Sequence, residues 1–242
     1  MIYADFAYIY DSLMYDFDYN KVFNFINGIY SKYNINTETI LELACGTGTL
    51  TNMCSDHYKV DAFDISPEML SIAQNKIYNM KNVRFFNQDM RNFNMHKKYD
   101  SCLCVCDSLN YLTKSDDFVD ALKNVFEHLD SNGVFIFDLN TIYKFENMEN
   151  NYVDEVDEIF YVWENYFDKK NLLNTYGVNF FIEKDNGLYE RFYEEHIERA
   201  YSIDFVSDCL AKIGFKDINI YDDYTVNLCN KETSRAVFVA RR

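Results

Sequence analysis

Apolar residues recur at helical spacing in the first 33 residues of the chain. They lie three or four positions apart, as on one face of a helix: Phe6, Ile9, Leu13, Val22, Phe25, Ile26 and Ile29. This pattern predicts two helices that pack over a core. From residue 39 it gives way to a short apolar run, residues 40–44, followed by Gly46-Thr47-Gly48. We interpret this segment as a buried strand that turns into a helix.

Strand and helix patterns then alternate along the chain. Apolar runs predict strands, and amphipathic stretches predict helices, in the order 58–64 (strand), 66–78 (helix), 83–88 (strand), 99–106 (strand), 115–129 (helix) and 133–139 (strand). Ser66 as N-cap and Pro67 at the first helical position are a strong start signal. Such alternation implies right-handed crossovers and a mostly parallel sheet with helices on both faces.

After residue 140 the pattern changes to alternating apolar and polar residues, with turn-forming residues between three stretches around 157–167, 172–183 and 188–201. This is typical of an antiparallel meander. A helical pattern at 202–213, with Gly214 as its stop, returns the chain to its first unit. Two further strands are predicted at 217–221 and 235–240.

These patterns together predict an α/β protein with a Rossmann-like, doubly wound, mostly parallel seven-stranded sheet. Residues 1–145 and 202–242 form this unit, and residues 146–201 form an inserted antiparallel β subdomain. The insertion follows the fifth strand, at the carboxyl ends where open α/β sheets bind ligands. We therefore expect a lid over the substrate cleft. A dimer interface is the alternative use of its apolar faces, such as that of Ile159, Tyr161 and Trp163.

Composition and charge narrow the classes of partner. The net charge of −16 repels phosphates, which disfavours nucleic acid and anionic membranes as partners. No apolar run approaches the roughly 20 residues that span a bilayer. Seven cysteines, an odd number, without a secretory leader favour a reducing cytoplasm. Cys102, Cys104 and Cys106 alternate along a strand rather than at zinc-ligand spacing, so we expect no metal site.

Candidate ligand-binding residues lie at the ends of the first three predicted strands. Glycines between a strand and a helix, as at Gly46 and Gly48, let the backbone approach a cofactor closely. Asp64 ends the second strand, where a carboxylate can accept both hydroxyls of a ribose, and Asp89 follows the third, where it can meet an adenine amino group. Either aspartate alone could serve an ordinary turn. Their joint placement predicts a nucleoside pocket.

The residues that carry this pattern resemble those of a known family. The run Leu41-Glu42-Leu43-Ala44-Cys45-Gly46-Thr47-Gly48 resembles the first motif of class I methyltransferases. The likeness extends to residues 63–70, 87–90 and 106–112 and covers nearly the whole chain. It is greatest to small bacterial methyltransferases grouped with glycine and sugar-amine N-methyltransferases. The resemblance implies S-adenosyl-L-methionine as cofactor and methyl donor.

The resemblance also implies the role of each cofactor-site residue. Glu42 and the turn from Ala44 to Gly48 would hold the methionine part, and Asp64 the ribose. Ala44 departs from the family, which usually has glycine there. The remaining expected contacts are Ile65 and Met90 on the faces of the adenine, Gln88 and Asp89 at its edge, Met69 nearby, Cys106 and Asp107 as the floor beside the methionine end, and Tyr3 and Tyr10 as an aromatic cover.

The expected reaction is methyl transfer to a small-molecule acceptor, with an amine nitrogen favoured. An amine must be neutral to attack, so a base or a desolvated pocket would help. His196 is the candidate base, although a histidine on a strand is more often structural. Arg199 and Tyr10 complete the candidate catalytic set. The Glu-His-x-x-Arg-x-Tyr run that ends at Tyr201 is also similar to that of close family members.

Three alternatives share parts of this pattern. A nicotinamide-dependent dehydrogenase would need a third glycine where the chain has Thr51, and would leave Asp89 without a task. A cofactor-binding protein without catalysis would retain the same pocket. Methylation of nucleic-acid bases would need an Asn/Asp-Pro-Pro-aromatic motif, whereas the chain has Asp107-Ser108-Leu109-Asn110. A monomer and a homodimer both fit the sequence.

Overall fold

The computed structural model describes residues 4–77 and 80–242. Its α-helices are α1 (Ala4–Leu13), α2 (Tyr19–Lys32), α3 (Thr49–Ser55), α4 (Pro67–Lys76), α5 (Ser115–His128), α6 (Ile142–Asn147) and α7 (Ile203–Ile213). Its strands are β1 (Thr39–Leu43), β2 (Lys59–Asp64), β3 (Val83–Asn87), β4 (Tyr99–Cys104), β5 (Leu129–Asn140), β6 (Asn151–Val156), β7 (Ile159–Asp168), β8 (Leu173–Glu183), β9 (Tyr189–Arg199), β10 (Lys216–Asp222) and β11 (Arg235–Arg241).

The strands form two sheets, as the sequence predicts. The seven-stranded sheet has the order β10-β11-β5-β4-β1-β2-β3, in which β1 to β5 are parallel. Strand β11 pairs antiparallel with both β5 and β10. The second sheet is antiparallel and has the order β6-β7-β8-β9. The predicted fold class, a Rossmann-like sheet with a separate antiparallel sheet, is therefore confirmed.

The antiparallel sheet differs from the prediction by one strand. Three stretches were expected, but β6 (Asn151–Val156) precedes them and pairs with β7 at one edge. Its sequence, NYVDEV, is short and rich in acids, and no residue in it is fully buried. Weak burial on both faces removes the strong apolar alternation by which the longer strands are predicted.

Helix α1 lies between the two sheets. Its apolar side chains Phe6, Ile9 and Leu13 pack with residues of β7 and β8, including Tyr161 and Phe180. A helix with an apolar stripe must bury it against another element, and here that element is the antiparallel sheet. The other side of α1 is thereby left to face the carboxyl ends of the parallel strands.

A short segment after β4 joins the antiparallel sheet to the parallel one. The fully buried Asn110 donates hydrogen bonds from Nδ2 to the carbonyl oxygens of Asn140 (3.0 Å) and Arg199 (2.9 Å). Its Oδ1 accepts one from the backbone N–H of Asn140 at 3.0 Å. One amide thus fixes the ends of β5 and β9 relative to each other.

Two glycines provide a stability test of the turn after β1. Gly48 has φ +76°, and a Cβ built there would lie 3.0 Å from the Cβ of Ala73 in α4. Gly48→Ala should therefore lower the free energy of unfolding by about 1 to 3 kcal/mol. Gly28 lies in α2, where an added Cβ meets nothing within 4 Å. Gly28→Ala should raise the free energy of unfolding by about 0.5 to 1 kcal/mol. Denaturant unfolding measures both, and effects of the same sign would contradict this packing.

Candidate active site

The turn after β1 has an unusual backbone and an open face. Ala44 and Gly46 both have positive φ angles, of +51° and +53°. A Cβ built on Gly46 would meet only the ring of Tyr10, at 4.0 Å. Packing within the fold therefore does not require a glycine here. A backbone left open in this way can be approached closely by a ligand.

Asp64 holds this turn in place from the end of β2. Its Oδ2 accepts a hydrogen bond from the backbone N–H of Gly46 at 2.9 Å, and its Oδ1 accepts one from Ser66 at 2.8 Å. A carboxylate can accept about four hydrogen bonds, so both oxygens retain capacity for ligand hydroxyls. Burial raises the pKa of Asp64, and these backbone donors oppose that rise.

Glu42 brings a second buried acid to the same turn. It is 2% exposed, and its Oε2 accepts a hydrogen bond from Thr51 Oγ1 at 2.6 Å. Burial raises the pKa of Glu42 to about 8. In the part of the chain that the structure describes, neither Glu42 nor Asp64 takes part in an ion pair. An acid without a counter-charge is suited to a positively charged ligand group.

Helix α1 covers the turn from above. The ring of Tyr10 lies over Gly46, and its hydroxyl is hydrogen-bonded to that of Tyr19. Asp11 accepts a hydrogen bond from Thr47 Oγ1 at 2.6 Å and forms an ion pair with Lys76 of α4, also at 2.6 Å. Burial raises the pKa of Tyr10. At neutral pH the hydroxyl is therefore a neutral donor and acceptor over the turn.

The floor of the cleft is the end of β4. Cys106 and Asp107 follow this strand with positive φ angles of +57° and +51°. The thiol of Cys106 lies 3.9 Å from the hydroxyl of Tyr19. Both residues are close enough to Tyr10 to raise its pKa further. The structure therefore brings the glycine turn, the aromatic cover and the floor together around one cleft.

A group of buried and partly buried charged side chains adjoins the floor. The guanidinium of Arg235 lies 2.8 Å from Asp107 Oδ1 and also bonds Asp138. Glu198, on β9, is 2% exposed and accepts a hydrogen bond from Asn140 Nδ2 at 3.0 Å. The sequence analysis did not single out Arg235, Asp138 or Glu198. The one sequence signal for these residues was the carboxylate of Asp138, which interrupts the otherwise apolar run of residues 134–139.

Comparisons with known proteins agree with this geometry. Residues 40–133 match a family model described as "Methyltransferase domain". A relative from Geobacillus sp. (strain WCH70), named "Putative methyltransferase GWCH70_2453", is 30% identical over the full length of both chains. The crystal structure of an S-adenosylmethionine-dependent methyltransferase from Clostridium acetobutylicum ATCC 824 is 38% identical, with a TM-score of 0.87 over 99% of this chain and 98% of that one.

The chain belongs to the class I S-adenosylmethionine-dependent methyltransferases. S-adenosylmethionine is therefore its cofactor, and membership of this family excludes the dehydrogenase alternative. The methyltransferase also shares its fold with the sugar N-methyltransferase KedS8 from Streptoalloteichus sp. ATCC 53650. That structure is 16% identical and has a TM-score of 0.81 over 97% of this chain and 92% of that one.

The residues predicted to contact adenine in the methyltransferase lie near the ends of β2 and β3. Ile65 is 59% exposed beside Asp64, whereas Met90 packs at the edge of the core and Met69 is buried in the first turn of α4. Gln88 Oε1 accepts a hydrogen bond from the backbone of Asn94 at 3.0 Å. Their contacts with adenine stay a prediction, and Tyr3 lies outside the described residues.

Asp89 is already engaged by a neighbour. Its carboxylate pairs with the guanidinium of Arg91 at 2.5 Å and also accepts the backbone N–H of that residue. Hydrogen bonding to Arg91 lowers the pKa of Asp89. The carboxylate therefore stays ionised and, with its spare lone pairs, can still accept from an amino group.

The residues predicted for the acceptor side, His196 and Arg199, lie on β9 of the antiparallel sheet. His196 is 5% exposed; its Nδ1 lies 3.3 Å from the Tyr111 hydroxyl and its ring 5.1 Å from that of Phe6. Burial lowers the pKa of His196, which keeps the imidazole neutral. Arg199 Nη1 donates to the carbonyl oxygen of Thr113 at 3.1 Å. The two side chains are thus held by the segment that follows β4.

Among the described residues, no cluster of three or more His, Cys, Asp or Glu side chains is placed to hold a metal ion. Within the same residues no helix has the length and apolarity needed to cross a membrane.

Asp64 provides a direct test of the cofactor site. Asp64→Ala should weaken binding of S-adenosylhomocysteine by about 1 to 3 kcal/mol, because ribose hydroxyls and the Gly46 N–H would lose their acceptor. Titration calorimetry measures the affinity.

Asp61, on the same strand, is the matched control. It is 4% exposed and accepts hydrogen bonds from Arg84 and Tyr99, away from the turn. Asp61→Asn should lower thermal stability but leave the affinity unchanged. Equal affinities for the Asp64 variant and the wild type would remove Asp64 from the site.

Proposed function

We propose that this methyltransferase transfers the methyl group to the amine nitrogen of a small molecule. The acceptor would bind between the antiparallel sheet and the carboxyl ends of the parallel strands. The cofactor supplies an activated methyl group on a sulfonium, so the protein's task is to align the acceptor and to manage its proton. We also propose that the enzyme acts in the cytoplasm, as a monomer or a homodimer.

The observation that carries this proposal is the carboxylate of Asp107 at the floor. Its side chain is 19% exposed. Burial opposes ionisation of Asp107, but Arg235 and Lys144 lower its pKa, so that the group is a carboxylate at neutral pH. A carboxylate attracts an ammonium group and repels another carboxylate. The fold shared with a sugar N-methyltransferase supports the same class of acceptor.

We assign residues 146–201 the role of a lid over this cleft. Strand β9 turns the side chains of His196 and Glu198 inward, whereas Tyr193 and Ile197 on the same strand are 48% and 41% exposed. Tyr10, on α1, would cover the methionine end of the cofactor. His196 and Arg199, the other two candidate catalytic residues, would orient the acceptor.

The acceptor class can be tested with labelled donor. Purified enzyme is incubated with methyl-labelled S-adenosylmethionine and matched panels of small amines, carboxylates and alcohols. We expect label in amines only, at N-methyl positions that survive mild alkali. The Asp64→Ala variant, with weakened cofactor binding, should label the same amines more slowly. Alkali-labile methyl esters without labelled amines would contradict the proposal.

The lid assignment makes a separate prediction. His196→Ala and Arg199→Ala should each lower kcat/KM for the amine by about tenfold or more, because the acceptor loses a group that orients it. The affinity for S-adenosylhomocysteine should stay at the wild-type value.

Arg191→Ala is the control on the same strand. This arginine bonds Asn179 on the exposed side of β9, so its removal should leave kcat/KM unchanged. If all three variants lose activity equally, the lid affects folding rather than acceptor binding.

A further inference from the structure

The inner face of the antiparallel sheet changes from apolar to polar along β7 and β8. At one end of this face, Tyr161 and Phe180 lie opposite each other and pack with α1. Side chains alternate between the two faces of a strand. Trp163 and Asn165 on β7 and Asn174 on β8 therefore lie on the same face as that apolar pair. We call these three residues the inner polar surface.

The inner polar surface contains buried atoms that have no hydrogen-bond partner in the part of the chain that the structure describes. They are Nε1 of Trp163, Oδ1 of Asn165, and both Nδ2 and Oδ1 of Asn174. Asn174 is fully buried and Asn165 is 7% exposed. An unpaired buried donor or acceptor costs free energy, so folded proteins contain few of them. Four on one face indicate a surface that forms its hydrogen bonds with a ligand.

The strand register places this surface next to the carboxyl end of β5. Asn174 lies directly opposite Glu198 of β9, so the two side chains share a face. Glu198 in turn accepts a hydrogen bond at 3.0 Å from Nδ2 of Asn140, the last residue of β5. Strand β5 is the neighbour of β4, which leads to Asp107 at the floor. An acceptor with its nitrogen at the floor can therefore extend toward Asn174.

Aromatic rings hold the indole of the inner polar surface in place. The ring of Trp163 stacks on Tyr152 of β6 with centroids 5.6 Å apart. It also meets Tyr176 edge to face at 5.3 Å, and Phe145 of α6 lies 6.3 Å from Tyr176. Packing on both sides fixes the orientation of a side chain. The N–H of Trp163 is therefore a donor with a set direction.

The unpaired atoms specify the chemistry of the ligand. Two are donor nitrogens and two are acceptor oxygens, and neither asparagine nor tryptophan ionises near neutral pH. Asn165 and Asn174 are diagonal neighbours on adjacent strands, whose Cβ atoms lie about 7 to 8 Å apart. A single group paired with both ends of Asn174 would leave the atoms on β7 unpaired. The ligand therefore needs several neutral groups, and hydroxyl groups both donate and accept.

We propose that the inner polar surface binds the part of the methyl acceptor that is remote from its nitrogen, and that this acceptor is an amine with several hydroxyl groups. The inference rests on the proposed function, which places the amine nitrogen at Asp107. The hydroxyls would pair the four atoms that the protein leaves unpaired. An amine without hydroxyls would leave them unpaired in a closed site, so the enzyme should reject it.

Pairs of amines with similar carbon skeletons test the ligand class. They are glucamine with hexylamine, glucosamine with cyclohexylamine, and serinol with isopropylamine. Each amine is incubated with the enzyme and methyl-labelled S-adenosylmethionine. In at least one pair the hydroxylated member should have a kcat/KM about a hundredfold or more above that of its partner. Equal values within every pair would overturn the inference, and so would a preference for aminohexanamide over all three hydroxylated amines.

Asn174→Leu separates ligand binding from a structural role. The preference for the hydroxylated amine in the best pair should fall by about thirtyfold or more, because its hydroxyls lose both a donor and an acceptor. The midpoint of thermal unfolding without ligand should rise by about 2 to 4 °C, because an unpaired buried amide is replaced by an apolar group of similar size. A lower midpoint with an unchanged preference would show a structural role and overturn the inference.

Trp163→Phe is a second variant that keeps the ring and removes only the N–H. It should lower the same preference by about tenfold. Calorimetry with enzyme saturated by S-adenosylhomocysteine gives a readout without turnover, in which both variants should bind the hydroxylated amine of the best pair more weakly than wild type. Wild-type affinity in both variants would contradict the inference.

Asn179→Leu is the matched control. Asn179 is an asparagine on the same strand as Asn174, but it lies on the opposite face and bonds Arg191. The variant should keep the wild-type preference, and a loss equal to that of Asn174→Leu would overturn the specific role of Asn174. If no amine is methylated, the proposed function fails and this inference fails with it. If amines are methylated without a preference in any pair, only this inference fails.

Discussion

The floor of the cleft depends on one guanidinium, that of Arg235, whose side chain is 16% exposed. Arg235 bonds both Asp107, at the end of β4, and the fully buried Asp138 of β5. Without it two neighbouring carboxylates would lack their nearest cation, and removing one partner of a buried ion pair costs about 3 to 5 kcal/mol. Because Arg235 opens β11, the chain must return from the antiparallel sheet and pair with β5 before this part of the site can form.

Helix α1 connects the antiparallel sheet to the glycine turn after β1. Toward the turn it has the ion pair of Asp11 with Lys76, whose side chains are 43% and 30% exposed. Such pairs contribute about 0 to 1 kcal/mol. Toward the antiparallel sheet it buries Ile9 and packs the half-buried Phe6 and Leu13, and full burial of one apolar side chain contributes about 1.5 to 3 kcal/mol. Together with the hydrogen bond from Thr47 to Asp11, these contacts hold Tyr10 between the antiparallel sheet and the turn.

The sequence predicts the secondary structure and turns that depend on neighbouring residues. It does not predict side-chain contacts between residues that are far apart along the chain. Buried parallel strands are continuous apolar runs, so the strands of the main sheet and the glycine turn beside Asp64 could be located. Glu198 and Arg235 could not be singled out, because their partners lie 58 and 97 positions away along the chain. Periodicity contains no information about such pairings. The ion pair between Asp89 and Arg91 depends on side-chain geometry, which the sequence pattern does not predict either.

The two ends of the cleft meet the charge of their ligands in different ways. Glu42 and Asp64, beside the glycine turn, take part in no ion pair among the described residues, and the methyl donor carries its positive charge on a sulfonium. An ammonium acceptor would then approach a sulfonium, and two like charges 4 Å apart repel by about 4 kcal/mol at an effective dielectric constant of 20. That exceeds the 1.5 to 3 kcal/mol or so that a hydrogen bond to a charged group returns. An amine acceptor must therefore lose its proton before it reaches the methyl group.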